Sequence, residues 1–254
     1  MGFLAIIGGS GSSHFDDPEV SPDGGMPTPY GPTSSAARRL RLAGRDVLFL
    51  PRHGVRHRIP PHRVNYRANL WALKELGADR VVGLAAVGGI ASGLGPRSFA
   101  VPHQLIDYTY GRHQSFHDGG DSGVLHVDFS DPYCEDLRVQ LLAACAVAGT
   151  PARDQAVYGA TQGPRLETAA EILRLERDGC DLVGMTGMPE AGLARELGLC
   201  YATLAFVVNW AAGKDRGPIR MDEIQGHLTH CMDRVVAILS ALVEIRSPSE
   251  GSAG

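Results

Sequence analysis

Long apolar runs and an excess of basic residues are both missing from this 254-residue sequence. No stretch reaches the ~18 consecutive apolar residues of a membrane-spanning helix, so no membrane partner is expected. Lysine and arginine number 24 against 28 aspartate and glutamate, a formal net charge of −4. That balance argues against a general nucleic-acid-binding protein. Residues 3–7 are too few, and lack a preceding basic residue, for a signal peptide, which favours a cytoplasmic protein.

Metal-binding and disulfide patterns are missing as well. The five cysteines, Cys134, Cys145, Cys180, Cys200 and Cys231, form no CxxC pair. We therefore expect free thiols in a reducing compartment rather than a disulfide framework or a zinc site. The ten histidines have no carboxylate or cysteine partner at ligand spacing, so no metal is expected.

Apolar strands alternate with helical patterns along a chain that is 44% hydrophobic and 20% charged. The predicted strands are Leu4–Ile7, Val47–Leu50, Val81–Val87, Leu182–Met185 and Tyr201–Val208. The predicted helices are Asn65–Leu76, Leu137–Ala148, Leu166–Arg177, Glu190–Leu197 and Ile224–Val243. Continuous apolar strands suit a sheet covered on both faces. The pattern predicts one α/β sandwich domain over residues 1–246 and a frayed tail over 247–254.

Three positions next to predicted strands could hold an anion. The glycines of Gly8–Gly11 let backbone N–H groups converge and Ser10 adds a hydroxyl, although an ordinary glycine-rich turn explains them equally well. Arg52 and His53 suit phosphate, but the basic residues that follow them make a surface cluster the simpler alternative. Thr186 stands where a helix N-terminus could meet an anion, or where it could act as an N-cap.

Two further residues could form hydrogen bonds to the edge of a heterocyclic ligand. Glu167 could accept hydrogen bonds in a pocket, or it could serve as the capping partner of the helix that follows. Asn209 ends a predicted strand, and its amide can donate and accept hydrogen bonds at the same time. An asparagine that only stabilises a turn is the simpler alternative. Because ligands of α/β sheets bind at the carboxyl ends of strands, we expect these positions to converge. The loop over residues 111–123 is interpreted as a lid or an interface element.

Six segments in the same order strengthen these separate signals. They are Ile7–Ser10, Arg52–Gly54, Val64–Asn69, Ala85–Gly89, Gly163–Thr168 and Met185–Glu190. Together they resemble the trimeric purine nucleoside phosphorylase family. Val64–Lys74 and Gln114–Gly119 resemble its methylthioadenosine phosphorylase branch. The resemblance extends over about residues 4–243 and implies a nucleoside phosphorylase-like sandwich with a central mixed sheet flanked by helices.

The resemblance implies that the chain cleaves a purine nucleoside with inorganic phosphate as co-substrate, without a cofactor, as a homotrimer. The residues implied to hold phosphate are Ser10, Arg52, His53, Ala85, Ala86 and Thr186. Met185 is implied to pack on the sugar, and His126 to approach from a neighbouring subunit. Asn209, with Trp210 and Ala211 beside it, and Glu167 are implied to contact the base. Asn209, Glu167 and His53 are the implied catalytic residues.

Three residues that differ from the methylthioadenosine phosphorylase branch indicate the substrate. Those enzymes carry serine at the place of Glu167 and aspartates at the places of Asn209 and Ala211. Glu167 could accept a hydrogen bond from N1–H of the base, and Asn209 could donate one to a 6-oxo group. A hypoxanthine base is therefore expected. Met221 aligns with a histidine of inosine-cleaving relatives and would give a 5′-methylthio group an apolar partner.

The expected reaction therefore converts a 5′-methylthio-6-oxopurine nucleoside and phosphate into hypoxanthine and 5-methylthioribose 1-phosphate. A general inosine and guanosine phosphorylase and a methylthioadenosine phosphorylase remain open as alternatives. So do a hydrolytic nucleosidase and a purine-binding protein without turnover.

Overall fold

The computed structural model describes residues 2–11, 15, 24–215 and 217–245. The predicted tail over residues 247–254 lies outside the described residues. Within the described part of the chain, no helix is long and apolar enough to cross a membrane.

Ten strands and five α-helices are formed by the part of the chain that the structure describes. The strands are β1 (Phe3–Gly8), β2 (Arg38–Leu42), β3 (Arg45–Pro51), β4 (Ala78–Gly89), β5 (Phe99–Ala100), β6 (Gln104–Asp107), β7 (Ala152–Arg153), β8 (Val157–Ala160), β9 (Leu182–Gly184) and β10 (Cys200–Trp210). The helices are α1 (Tyr66–Glu75), α2 (Glu135–Val147), α3 (Ala169–Arg177), α4 (Gly187–Glu196) and α5 (Met221–Glu244).

Four parallel strands in the order β3-β1-β4-β10 form the centre of the sheet. Ile6 of β1 lies opposite Phe49 of β3 and Val82 of β4. Strands β2 and β5 add antiparallel neighbours to β3 and β10. Strand β9 runs antiparallel to the carboxyl end of β4 and leads to β8 and β6. The expected α/β sandwich with a central mixed sheet is confirmed.

Helices cover both faces of this sheet, as the continuous apolar strands predict. Val81 and Val82 are both inaccessible to solvent, yet they belong to two different core clusters on opposite faces. Helices α1 and α4 pack together near β4 and β10 on one face, and α2 and α5 pack on the other. The predicted apolar stripe of α5 is buried from Leu228 to Leu242, whereas Ile224 is only partly buried.

All ten predicted elements begin and end within three residues of the observed limits. Helix α3 begins at Ala169, three residues after the predicted Leu166. The reason is a capping box: the Thr168 hydroxyl accepts from the backbone of Glu171, and the Glu171 carboxylate accepts from that of Thr168. The missed strands are short or polar, and β2 has three arginines among five residues.

The expectation of five free thiols is wrong for two cysteines. Cys134, which precedes α2, is disulfide-bonded to Cys200, the first residue of β10, with the Cα atoms 5.1 Å apart. Sixty-six positions separate them, so no local spacing could indicate the pair. The Cys134 N–H also donates to the Tyr201 carbonyl at 2.8 Å. Cys145, Cys180 and Cys231 are free and buried.

Removing this disulfide in a Cys134→Ser/Cys200→Ser variant is expected to lower the melting temperature. A cross-link over 66 positions restricts the unfolded chain and contributes up to about 4 kcal/mol in the loop-entropy account. Thermal unfolding followed by circular dichroism, with and without reductant, measures the effect. Reductant should lower the melting temperature of the wild type and leave that of the double variant unchanged. Equal melting temperatures for all samples would contradict a bonded pair.

Candidate active site

A cavity of about 560 Å³ opens where the four central parallel strands end. The turn after β1 brings Ser10 to its wall, and the turn after β3 brings Arg52 and His53. The ends of β4 and β10 add residues 85–88 and Asn209. Strand β9, antiparallel to β4, ends at the same place and adds Met185 and Thr186. The predicted convergence at strand ends therefore holds for these residues.

Arg52 is not part of a surface basic cluster, since only 1% of it is exposed. Its Nε and Nη2 atoms donate to the two carboxylate oxygens of Glu190 at 2.7 and 2.8 Å. Its Nη1 atom donates to the Leu84 carbonyl at 2.9 Å. Burial opposes the charge, but the Glu190 carboxylate outweighs it and raises the pKa of Arg52. Three of the five N–H groups are thus used, and two remain for a ligand.

Glu190 is a functional residue that sequence reasoning missed. It is 1% exposed and also accepts from the Tyr201 hydroxyl at 2.8 Å, which in turn receives a hydrogen bond from Thr203. Position 83 must be glycine here, because a Cβ atom there would lie 2.2 Å from the Tyr201 oxygen. The carboxylate is therefore fully engaged and fixes the orientation of Arg52.

His53 is neutral at physiological pH. Its Nδ1 atom lies 2.7 Å from the Ile59 carbonyl, so Nδ1 carries the hydrogen and Nε2 is left as an acceptor. Burial first, and then the charge of Arg52, lower the pKa of His53 to about 3. A neutral His53 can accept a hydrogen bond from a protonated phosphate oxygen through Nε2.

Thr186 stands at the N-cap position of α4, but its side chain makes no capping hydrogen bond. The N-cap alternative therefore holds for its position but not for its side chain, and this buried residue lines the cavity. Ser10, Ala85 and Ala86 line the same wall. Gly9 allows this close approach, since a Cβ atom on it would lie 3.0 Å from Nη1 of Arg52.

Glu167 and Asn209 both line the cavity. Glu167 accepts from the Thr161 hydroxyl at 2.6 Å, and it is Glu171, not Glu167, that completes the α3 capping box. Thr161 was not predicted. Asn209 donates one amide N–H to the Trp210 carbonyl at 2.7 Å, which leaves its other N–H for a ligand. Ala211 lines the cavity beside them.

Trp210 is not brought to this cavity. Its indole packs over Gly95, where a Cβ atom would lie 2.9 Å from the ring, and it lines a separate cavity of about 190 Å³. Asn209 lines both cavities. The role of Trp210 as a substrate-binding residue stays a prediction.

An apolar end of the cavity is formed by the start of α5 and the loop before it. Met221 lines it, as expected, although 69% of the residue is exposed. Ile219, Ile224 and Leu228 complete this end and were not predicted, and Ile224 is only partly buried because it faces the cavity. His126 is exposed and does not line the cavity of its own chain, so its action on a neighbouring site stays a prediction.

Metal ligands do not cluster in the described residues, where no group of three or more histidine, cysteine, aspartate or glutamate side chains could hold an ion. The wall of the cavity combines hydrogen-bond donors, a carboxylate, an amide and several apolar side chains.

This fold and this site are those of one class of protein. The chain belongs to the phosphorylase superfamily, whose family model matches residues 4–244. Among its relatives is a Pseudomonas syringae pv. tomato protein named "Probable S-methyl-5'-thioinosine phosphorylase". It is 53% identical over 243 residues, 96% of this chain and 99% of that protein.

Two more distant relatives match over nearly the whole chain. The 6-oxopurine nucleoside phosphorylase of Pyrococcus furiosus is 40% identical over 247 residues, 95% of this chain and 92% of that protein. Methylthioadenosine phosphorylase from Schistosoma mansoni in complex with tubercidin is similar in structure, with a TM-score of 0.87 and 32% identity. That match covers 96% of this chain and 91% of the other.

Replacing Glu190 by glutamine is expected to weaken phosphate binding at least about tenfold. The amide keeps one acceptor but cannot hold both nitrogens of Arg52, so the guanidinium loses its fixed direction. Isothermal titration with inorganic phosphate measures the dissociation constant. Tyr201→Phe is the matched control, because it removes one hydrogen bond to Glu190, leaves the ion pair, and should weaken binding less. An unchanged dissociation constant in folded E190Q would contradict this role.

The lowered pKa of His53 in the folded protein also makes its stability depend on pH. The unfolded chain takes up a proton near the ordinary pKa of 6.5, but folded His53 takes it up only near 3. The free energy of unfolding should therefore fall as the pH drops below about 6.5. Urea unfolding between about pH 7 and pH 4.5 measures the slope. His53→Gln lacks this group and should show a shallower decline, and parallel curves would contradict the assignment.

Proposed function

We propose that this chain catalyses the phosphorolysis of S-methyl-5′-thioinosine to hypoxanthine and 5-methylthioribose 1-phosphate. One observation carries the proposal: a single cavity joins an anion site, the pair Glu167 and Asn209, and an apolar end at Met221. The relative from Pseudomonas syringae, named for this reaction, supports it at 53% identity.

Phosphate binding is the first step of the proposed mechanism. Ser10, Thr186 and the two remaining N–H groups of Arg52 donate to the phosphate oxygens, together with backbone N–H groups near Ala85 and Ala86. His53 accepts from the protonated oxygen. Holding phosphate beside C1′ turns a bimolecular reaction into a nearly unimolecular one. Inorganic phosphate is thus a co-substrate, and the proposal requires neither metal nor organic cofactor.

Cleavage transfers the ribosyl group from nitrogen to oxygen. A phosphate oxygen forms a bond to C1′ while the C1′–N9 bond breaks, and that bonding pair leaves with the purine, which then takes a proton from water. The anion stabilises the positive charge on the sugar, against which Met185 packs. Asn209 stabilises the negative charge that develops on the base by donating its remaining amide N–H.

Glu167 and Asn209 select a 6-oxopurine. The Glu167 carboxylate, oriented by Thr161, accepts from N1–H of hypoxanthine, and Asn209 donates to O6 or N7. Adenine has no N1–H and presents an amino group instead. Each mismatched buried polar group costs about 1–3 kcal/mol, and more when it is charged, so two mismatches give a large preference.

Met221 selects the 5′ substituent together with its apolar neighbours. Ile219, Ile224 and Leu228 surround the same end of the cavity. A methylthio group buries apolar surface against them, with a polarizable sulfur beside a methionine. A 5′-hydroxyl would lose its water there without gaining a partner.

A general 6-oxopurine nucleoside phosphorylase is the second candidate. Glu167 and Asn209 serve that function equally, and the relative from Pyrococcus furiosus carries that name at 40% identity. The apolar 5′ end favours the methylthio substrate. The structurally similar protein from Schistosoma mansoni is named a methylthioadenosine phosphorylase. Glu167 argues against that activity in this chain.

We further propose a homotrimer in the cytoplasm, in which His126 reaches the site of the neighbouring subunit. Val124 and Leu125, next to His126, are exposed apolar residues of the kind that a subunit interface covers.

The three buried free thiols fit a reducing compartment such as the cytoplasm, whereas the disulfide bond between Cys134 and Cys200 would have to persist there.

The direct experiment measures hypoxanthine release from S-methyl-5′-thioinosine, with inosine and S-methyl-5′-thioadenosine alongside, each with and without phosphate. Phosphate-dependent cleavage mainly of S-methyl-5′-thioinosine is expected. Equal cleavage of inosine would favour the second candidate. Base release without phosphate would indicate a hydrolase, and binding without release would indicate a protein that only binds nucleosides.

A double variant tests base recognition. Glu167→Ser with Asn209→Asp is expected to shift the ratio of kcat/KM toward S-methyl-5′-thioadenosine by at least about tenfold, because it exchanges acceptors and donors. Met221→His is the matched control, since it should change the ratio of inosine to S-methyl-5′-thioinosine and leave base choice alone. A folded double variant with an unchanged base preference would mean that other contacts select the base.

A further inference from the structure

Arg112 makes the largest set of hydrogen bonds of any side chain in the described structure outside the cavity wall. Its acceptors are Gln162 Oε1 at 3.1 Å, the carbonyls of Met185 at 2.9 Å, Met188 at 2.5 Å, Thr161 at 3.3 Å and Gln162 at 2.8 Å, and the Tyr66 hydroxyl at 3.4 Å. Every acceptor is a neutral group. An arginine that serves only as a charge would pair with a carboxylate.

The backbone acceptors belong to two segments that carry the site. Thr161 and Gln162 follow β8 and begin the loop that leads to Glu167. Met185 and Met188 follow β9 and flank Thr186. Only a planar guanidinium offers enough N–H groups in fixed directions to hold both segments at once.

Besides these two segments, Arg112 contacts Tyr66, the first residue of α1. Its guanidinium lies over the ring of Tyr66, 5.6 Å from the centroid, and Tyr66 is buried. The Tyr66 hydroxyl donates to the carbonyl of Pro61, a residue that lines the cavity. Arg112 thus reaches three parts of the wall without lining the cavity itself.

The loop that presents Arg112 is fastened to the body of the domain. Phe116 is buried, its N–H donates to Glu196 Oε2 at 2.7 Å, and its ring meets Tyr30 edge-on at 4.9 Å. Arg67 of α1 donates to the Ser115 carbonyl at 3.2 Å. These contacts anchor the loop through Ser115 and Phe116 to α1, to α4 and to Tyr30.

We propose that Arg112 is a positioning residue that fixes the phosphate-binding and base-binding segments relative to each other. It acts on Thr186 through the flanking Met185 and Met188 carbonyls, and on Glu167 through Thr161, whose hydroxyl holds that carboxylate. The assignment of the two ends to phosphate and base rests on the proposed function. Loss of the guanidinium therefore impairs both ends together.

The test compares Arg112→Lys with Arg67→Lys by calorimetric titration with inorganic phosphate, hypoxanthine and adenine. Lysine keeps the charge but cannot bond both segments. In R112K, phosphate affinity should fall at least about fivefold, and the preference for hypoxanthine over adenine should fall by a similar factor. R67K loosens the support of the loop without touching either segment and should change both values less.

Two results would overturn the proposal. One is a folded R112K protein with wild-type phosphate affinity and base preference; the other is a loss at one end only. If R112K does not fold, Gln162→Ala replaces it, because it removes the acceptor of Arg112 Nε and should shift both values in the same direction, by less. Since these are binding measurements, a wild type that binds both ligands without turnover would refute the proposed function and leave the role of Arg112 testable.

Discussion

A buried ion pair between Arg52 and Glu190 is the interaction on which the site depends. Each residue is 1% exposed, so either charge alone would be strongly destabilising in this position. The pair joins the end of β3 to α4, and Tyr201 links it to β10. Because Glu190 neutralises Arg52 and His53 is itself neutral, the proposed anion site relies on directed donors and one acceptor instead of a large positive charge.

The mixed sheet explains how one cavity obtains two different ends. The parallel strands β1, β3, β4 and β10 end together and supply Asn209 and most residues of the proposed anion site. The antiparallel pairing of β9 with β4 turns a second group of strands toward the same point and supplies Thr186 and, after β8, Glu167. Arg112 bridges the loops after β8 and β9 from behind. The geometry of the base end is thus set by a residue that does not touch the cavity.

The sequence predicted what local patterns can predict. Apolar runs located the four central strands and the short strand β9. Residues at strand ends, such as Ser10, Arg52 and Asn209, do meet in the cavity. Pairings between distant residues carry no local signal: Arg52 and Glu190 are 138 positions apart, and Cys134 and Cys200 are 66 apart.

The most direct test of this account is a crystal structure of the protein with phosphate and hypoxanthine bound. It should have phosphate oxygens within hydrogen-bond distance of Ser10, Arg52 and Thr186, with the Arg52–Glu190 pair intact, and hypoxanthine N1 facing the Glu167 carboxylate. Phosphate bound away from Arg52, or Glu190 turned from Arg52 toward the ligand, would contradict the central claim that a neutral, preoriented donor set forms the anion site.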